Sequence, residues 1–324
     1  MKNNIGLWIG LTLALFACER PEKAIQPYDR GGVTTTTIPM ASNYKFQIFY
    51  SLDSNKIVKT VSRMDWDLAF SSGDTPIILT NTGRGIYIAA TNKSKISEIT
   101  DTVGLKFYWG QPSLNHDSLA FGRWWIGTPR VFVINMGYDL NGIPLGFIKC
   151  MPELLADKRL KLTWSALENN LEKSIVVSKA SDRNFNYVSL IENKLADIEP
   201  PNNQWDLLFT QYVKLLFAPP YPATRNYEVV GALINPYRIE AGFGFDKPFS
   251  EINSNSIPSK FYKHRDVIGF DWKWFDIGTN SYTVNPAMNY IIKTSEGFYY
   301  KLHFLDFYDD KGVKGFPKFE FSKI

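Results

Sequence analysis

Trp66-Asp67-Leu68-Ala69-Phe70 recurs 139 positions later as Trp205-Asp206-Leu207-Leu208-Phe209. In each copy an aromatic residue and an acid precede alternating apolar residues, which is typical of a strand with one buried and one solvated face. The flanking residues repeat at an offset of 138 or 139: Ala41-Ser42 with Ala180-Ser181, Ser51-Leu52 with Ser189-Leu190, and Asn55-Lys56-Ile57 with Asn193-Lys194-Leu195. This regular offset favours a duplicated β unit, in which each tryptophan anchors a core.

The N-terminal segment predicts export and a lipid anchor. Residues 1–17 carry one Lys near the start and a short apolar run, which is typical of a signal peptide and too brief for a comfortable spanning helix. Leu15-Phe16-Ala17-Cys18 resembles the lipobox of bacterial lipoproteins, which implies lipid attachment at Cys18. Glu19 at the next position implies an outer-membrane rather than an inner-membrane location. An ordinary secretory signal with a chance cysteine is the alternative.

Composition excludes some classes of partner. The net charge is +4, and it becomes +3 once the signal with its single Lys is removed, which argues against nucleic acid. Cys150 would then be the only cysteine besides the lipidated one, so an internal disulfide is not expected. Residues 18–32 contain prolines, glycines and charges with few apolar groups, and we interpret them as a flexible tether.

The rest of the chain predicts an all-β, mainly antiparallel fold. We expect an N-terminal β unit at residues 33–165 (repeat 1) and a second β domain at residues 166–324 (repeat 2). Ile77–Asn81 and Gly85–Ala89 flank a short polar turn and suggest a hairpin, whereas residues 152–157 and 166–173 have helical propensity. The last fifty residues alternate strongly and predict an antiparallel meander that ends within a strand.

At these C-terminal residues the chain resembles the HmuY family, which comprises haem-binding surface lipoproteins (haemophores) of Bacteroidota. The resemblance is best over residues 173–324 and rests on the order and spacing of several motifs. They are Ala180-Ser181, Trp205-Asp206, Trp272 with Phe275 and Gly278, and Lys301-x-x-Phe304-x-Asp306-x-Tyr308 with Gly312. Through the internal repeat it extends to residues 33–81.

The resemblance implies capture of haem at the cell surface and its transfer to a TonB-dependent outer-membrane receptor. It also implies two His ligands to the iron, one of them directly before the Gly that follows W-x-x-F. Ile277 occupies that position, and its side chain has no lone pair. Met288 and His264 are the remaining weak candidates for ligand binding, and the sequence identifies no metal site.

Two functions from different classes therefore stay open. The first is a lipid-anchored binding protein that captures haem or a similar flat ligand. The alternative is a surface interaction or accessory protein that kept the fold and does not bind haem. We do not expect an enzyme, because the sequence lacks a G-x-S-x-G elbow, an H-E-x-x-H motif and a supported Cys-His arrangement.

Overall fold

Strands joined by turns and irregular loops make up most of the part of the chain that the computed structural model describes, which is residues 32–216, 225–244 and 247–324. The signal, Cys18 and almost all of the predicted tether lie outside these residues. The strands are β1 Thr34–Thr37, β2 Phe46–Ser51, β3 Lys56–Ser62, β4 Leu68–Ser71, β5 Ile78–Thr80, β6 Tyr87–Ala90, β7 Phe132–Asn135, β8 Phe147–Leu154, β9 Leu160–Ala166, β10 Lys173–Val177, β11 Phe185–Ser189, β12 Lys194–Ala196, β13 Leu207–Leu216, β14 Arg225–Ile234, β15 Ile239–Phe243, β16 Lys273–Asp276, β17 Ser281–Val284, β18 Asn289–Thr294, β19 Tyr299–Tyr308 and β20 Lys314–Lys323.

The described strands form four larger sheets and one hairpin. The sheet orders are β1-β20-β19-β18-β15, β10-β9-β8-β7-β6, β12-β11-β4-β5 and β14-β13-β2-β3, and β16 pairs with β17 alone. The strand pairs are antiparallel, which confirms the predicted all-β, mainly antiparallel fold. Short 3-10 turns lie at Thr82–Arg84, Ile96–Glu98, His116–Ser118, Phe249–Glu251 and Ser254–Ser256. No helix among the described residues is long and apolar enough to cross a membrane.

The two repeats exchange strands. β2 of the first repeat pairs with β13, which follows Trp205-Asp206, and β11 of the second repeat pairs with β4, which follows Trp66-Asp67. Both tryptophans are buried, at 8% and 2% exposure, which confirms them as core anchors. Strand pairs therefore cross the predicted boundary between residues 165 and 166. The division of the chain into two structural units at that boundary stays a prediction.

The two repeated acids, Asp67 and Asp206, each bind the backbone that follows a strand of the other repeat. Asp67 accepts a hydrogen bond from the backbone N–H of Leu190 at 2.7 Å, and Asp206 accepts one from the N–H of Leu52, also at 2.7 Å. Both carboxylates are also ion-paired, Asp67 with Arg84 and Asp206 with Arg238. Because a buried carboxylate needs such partners, the acid of the W-D pair positions the neighbouring strand of the other repeat.

The predicted hairpin between residues 77 and 89 is wrong. β5 pairs with β4, whereas β6 pairs with β7 in a different sheet. The connecting 3-10 turn packs against β13: Thr82 accepts a hydrogen bond from the N–H of Val213 at 3.1 Å, and a Cβ on Gly83 would lie 2.3 Å from the carbonyl oxygen of Gln211. This long-range packing separates the two strands.

The two helical segments suggested by propensity are also wrong. Residues 152–154 complete β8, which pairs with β9 through Leu154, and the tight turn between these strands contains Lys158 at a positive φ of 64°. Residues 167–172 connect β9 to β10. Cross-strand pairing satisfies the backbone here, so weak local helix propensity does not decide the structure.

Candidate functional site

An open groove of about 870 Å³ is the largest surface feature that we consider for ligand binding. One side is the irregular segment 107–126, and the other includes Leu215 at the end of β13 and Asn226 at the start of β14. This volume lies within the range of small-molecule sites, which are mostly lined by apolar and aromatic groups. The lining residues are a mixture of aromatic, polar and small or aliphatic apolar residues: Ala90, Phe107, Tyr108, Trp109, Gln111, Asp117, Ser118, Leu119, Ala120, Phe121, Gly122, Arg123, Trp124, Ile126, Arg130, Leu215 and Asn226.

Backbone pairing holds the aromatic rim of the groove in place. Tyr108 forms an isolated antiparallel bridge with Ile88 of β6, with N–H to carbonyl distances of 2.8 and 3.0 Å. Tyr108 nevertheless remains 60% exposed. The next residue, Trp109, packs on Tyr87 with ring centroids 4.6 Å apart. The paired backbone thus holds an exposed tyrosine and a half-buried tryptophan at the edge of the groove.

The floor of the groove belongs to the core. Trp124 is buried and donates its indole N–H to the carbonyl of Pro76 at 2.7 Å. Phe121 packs against Phe132 of β7, with ring centroids 4.9 Å apart. The opposite wall is tied to the segment as well, since the N–H of Leu215 donates to the side-chain oxygen of Gln111 at 2.8 Å. The floor of the groove is therefore packed against the core, although both floor and rim belong largely to the irregular segment.

Two arginines give the groove a positive edge. Arg123 and Arg130 both line it and both are exposed. Arg123 lies 3.5 Å from Asp117, and these two side chains are 54% and 78% exposed. An ion pair so exposed contributes little, so the Arg123 guanidinium is available to a ligand carboxylate.

A second, smaller cleft of about 330 Å³ surrounds the β16–β17 hairpin, where the resemblance implied a His ligand. Ile277 lines this cleft and is 87% exposed, so the position is accessible but offers no donor for iron. Lys273, at the base, donates to the carbonyl of Val230 at 2.5 Å and lies 4.3 Å from the ring centroid of Trp272. Burial lowers the pKa of Lys273 to about 7.

The two predicted ligand residues, His264 and Met288, are not among the residues that line the groove or the hairpin cleft. His264 is a surface residue whose Nδ1 lies 3.1 Å from a carboxylate oxygen of Asp266. Met288 is half-buried and packs against the main hydrophobic core. Neither residue lines the groove or the hairpin cleft. Their assignment as ligands stays a prediction.

The other potential donors are engaged in structural contacts. His303 is a residue of β19. Its Nε2 lies 2.7 Å from a carboxylate oxygen of Glu320 in β20, and its ring stacks on Phe249 with ring centroids 4.2 Å apart. His116 lies in a 3-10 turn, and its ring centroid is 5.6 Å from that of Trp125. Cys150 is buried, and burial raises the pKa of its thiol far above the usual range. Among the described residues, no group of three or more His, Cys, Asp or Glu side chains could hold a metal ion.

Sequence reasoning missed the groove residues Tyr108, Trp109, Arg123 and Arg130. A signal was present, because the segment between Leu105 and Trp125 is rich in aromatic residues and has no strand period. Such a segment cannot bury all its rings by alternation, so exposed aromatic surface was to be expected there. The opposite wall is about a hundred residues away in sequence and could not be identified locally.

The fold is therefore an antiparallel β architecture with an open groove on its surface. A sequence model described as "HmuY protein" matches residues 43–170 and 235–321, which is well over half of the chain. The chain therefore belongs to the HmuY family. The matched segments differ in extent from the resemblance at residues 173–324, because they include most of the first repeat and leave residues 171–234 between them.

Several solved structures are similar to this chain, among them the following two. An apo HmuY analogue of Tannerella forsythia shares 11% identity, with 90% of this chain and 97% of that chain covered and a TM-score of 0.26. A HmuY-like protein of Bacteroides vulgatus ATCC 8482 shares 10% identity, with 89% and 90% covered and a TM-score of 0.25. No curated protein matches the sequence.

Proposed function

We propose that this protein is a lipid-anchored binding protein of the HmuY type that holds haem or a similar flat, carboxylate-bearing ligand in the aromatic groove. The observation that carries the proposal is the pairing of an aromatic rim, formed by the exposed Tyr108 and the half-buried Trp109, with the exposed Arg123 and Arg130. Family membership supports the ligand class, since the family resemblance implies haem capture. The role is one of binding, without catalysis.

The chemistry of the groove suits such a ligand. A flat macrocycle can bury its apolar faces against aromatic side chains, which prefer offset or edge-to-face contacts with another ring. Carboxylates at its edge would pair with guanidinium groups in the bidentate geometry that arginine favours. The groove volume of about 870 Å³ leaves room for a ligand of this size.

The family's implied two-His ligation does not fit this chain. Ile277 replaces one His, and the chain has only three His residues, of which none lines the groove or the hairpin cleft. Retention of the ligand must therefore depend on ring contacts and charge rather than on a pair of imidazoles. This difference makes the groove, and not the hairpin, the better candidate site.

Titration of haem into the purified protein tests the proposal. We expect a shifted Soret band and quenching of tryptophan fluorescence, because Trp109 and Trp124 both line the groove. The double variant Tyr108→Ala, Trp109→Ala should weaken haem binding about tenfold or more. Ile277→Ala is the matched control at the hairpin and should bind as the natural protein does. Absence of both spectral changes, with ferric and ferrous haem, would contradict the proposal.

Location and partner are part of the proposal. A lipid on Cys18 would anchor the protein to the outer membrane, with residues 18–32 as the tether, at the cell surface. A TonB-dependent receptor would accept the ligand from the groove. Support comes from the lipobox-like sequence and from the family.

A second candidate is a surface interaction protein that does not bind haem. It is favoured by the exposed apolar hairpin, where Trp274, Phe275 and Ile277 are 51%, 39% and 87% exposed. Crosslinking in intact cells would then recover an envelope protein, with or without haem, and Trp274→Ala together with Ile277→Ser would abolish its recovery. Unchanged recovery by that variant would remove this candidate.

A further inference from the structure

We infer that the groove recognises the porphyrin ring and its carboxylates and not the metal at its centre. This inference rests on the proposed function of the same groove and adds the ligand class to it. Haem, zinc protoporphyrin and metal-free protoporphyrin IX then bind with similar affinity. Such a protein collects porphyrins in general.

The donor set of the groove carries this inference. Haem iron in proteins is held by His, Met, Cys or Tyr side chains. The described residues that line the groove include no His, Met or Cys. Their oxygen donors of the carboxylate or phenol type are Asp117, which pairs with Arg123, and Tyr108 at the rim.

The remaining contacts do not depend on a metal. The rings of Phe107, Tyr108 and Trp109 offer faces and edges, while Ile126 and Leu215 are exposed apolar side chains beside them. Stacking and burial of apolar area are the same for a porphyrin with or without iron. The propionate groups are also the same, and they would meet Arg123 and Arg130.

An axial bond would have a measurable signature. If a side chain ligated the iron, haem would bind much more tightly than metal-free protoporphyrin IX, because a tenfold ratio corresponds to only about 1.4 kcal/mol. Tyr108 is the donor to test within the groove, and His116 is the nearest imidazole in sequence, adjacent to the lining residue Asp117. Tyr108→Phe keeps the ring and removes the oxygen, so it separates ligation from stacking.

The experiment measures dissociation constants of the full-length mature protein for haem, zinc protoporphyrin and protoporphyrin IX by tryptophan quenching. We expect the three values to agree within about threefold, and Tyr108→Phe and His116→Ala to leave this agreement unchanged. The double variant Arg123→Gln, Arg130→Gln should weaken all three ligands by about the same factor, about tenfold or more. The dimethyl ester of protoporphyrin IX should bind more weakly to the natural protein and be insensitive to the arginine variant.

The outcomes separate the inference from the proposed function. Haem binding that is tenfold or more tighter than protoporphyrin IX, in any of these proteins, overturns metal-independent recognition and leaves haem binding intact. Equal binding of the ester and the free acid overturns the role of the two arginines. Failure of all three porphyrins to bind overturns the proposed function itself.

Discussion

At the scale of single residues, the two repeated aspartates are those on which we expect the stability of the fold to depend most. The Asp67 carboxylate and the Arg84 guanidinium are both almost wholly buried, at 0% and 1% exposure of the side chains. Burial raises the pKa of Asp67, and Arg84 opposes that effect. The pair is thus desolvated and depends on its partners, so removal of one member leaves an uncompensated buried charge.

Asp67→Asn should therefore lower the free energy of unfolding by about 3–5 kcal/mol. Urea denaturation of the purified protein measures this loss. The exposed pair between Asp157 and Arg159 provides the control, because both side chains are about half exposed and Asp157→Asn should change little. A loss for Asp67→Asn that is no larger than the control would show that the buried pair is dispensable.

Asp206→Asn should cost less than Asp67→Asn, although the acid occupies the equivalent position. Its partner Arg238 is 16% exposed and also lies 3.2 Å from Glu296, so it keeps solvent and a second acid after the substitution. The same urea measurement orders the two variants. The reverse order would mean that exposure of the arginine does not control the loss.

Glu199 makes stability depend on pH. Burial raises the pKa of Glu199 from 4.5 to about 7, although it accepts hydrogen bonds from the N–H of Phe185 at 2.9 Å and of Asn184 at 3.3 Å. The folded state then retains a proton that the unfolded state releases between about pH 4.5 and pH 7. The contribution of Glu199 to the free energy of unfolding is therefore highest below pH 4.5 and falls as the pH rises from about 4.5 to about 7.

Glu199→Gln should remove this share of the pH dependence, roughly 3 kcal/mol between pH 4.5 and pH 7. Burial also raises the pKa values of Asp67 and Asp206, so part of the decline should remain in the variant. Unfolding free energies at several pH values measure the slope. Glu172→Gln, at an exposed position, is the control and should follow the natural protein. An identical slope for Glu199→Gln would contradict the assignment.

At the scale of elements, β20 is the strand on which we expect the core to depend most. It lies between β1 and β19 in the five-stranded sheet and contributes the buried rings of Phe319 and Phe321 to the main core. β1 is an edge strand of four threonines with no buried residue. The two ends of the described chain therefore differ greatly in what they stabilise.

A chain that ends at Gly312 should fail to fold cooperatively, because it loses two buried aromatic rings and leaves β1 without its partner. A chain that begins at Ile38 loses only the edge strand and should stay folded with a lower melting temperature. Thermal unfolding followed by circular dichroism distinguishes the two. A cooperative transition for the chain that ends at Gly312 would show that β20 is not essential to the core.

The same scale shows where local patterns stop being informative. The residue pattern correctly predicted strands within Tyr44–Tyr50 and Phe298–Tyr308, although β2 is buried on both faces and not on one alone. It could not predict that β5 and β6 enter different sheets, since both flank a polar turn as hairpin strands do. The packing of Gly83 against β13 decided that outcome, and β13 begins more than a hundred residues later.

At the scale of the whole molecule, the N-terminal cysteine should determine where the protein resides. Natural protein should sediment with the outer membrane, and the mass of its mature N-terminus should include lipid on Cys18. Two or more acyl chains are needed for stable anchoring, whereas one gives only marginal binding. Cys18→Ser should release the protein into the soluble fraction or leave it unprocessed. An unmodified N-terminal residue in the natural protein would exclude the anchor.

The sequence by itself determined the β class, the repeat and the family, because alternation, motif spacing and composition can be read along the chain without knowing which segments meet in space. It also indicated, through Ile277, that the family's iron ligands do not carry over. Only the tertiary structure decided that the repeats exchange strands through Asp67 and Asp206, and that Tyr108 and Arg123 face Leu215 across a groove. Strand partners and groove walls depend on burial shared by distant segments, and no local pattern records which distant segment will provide it.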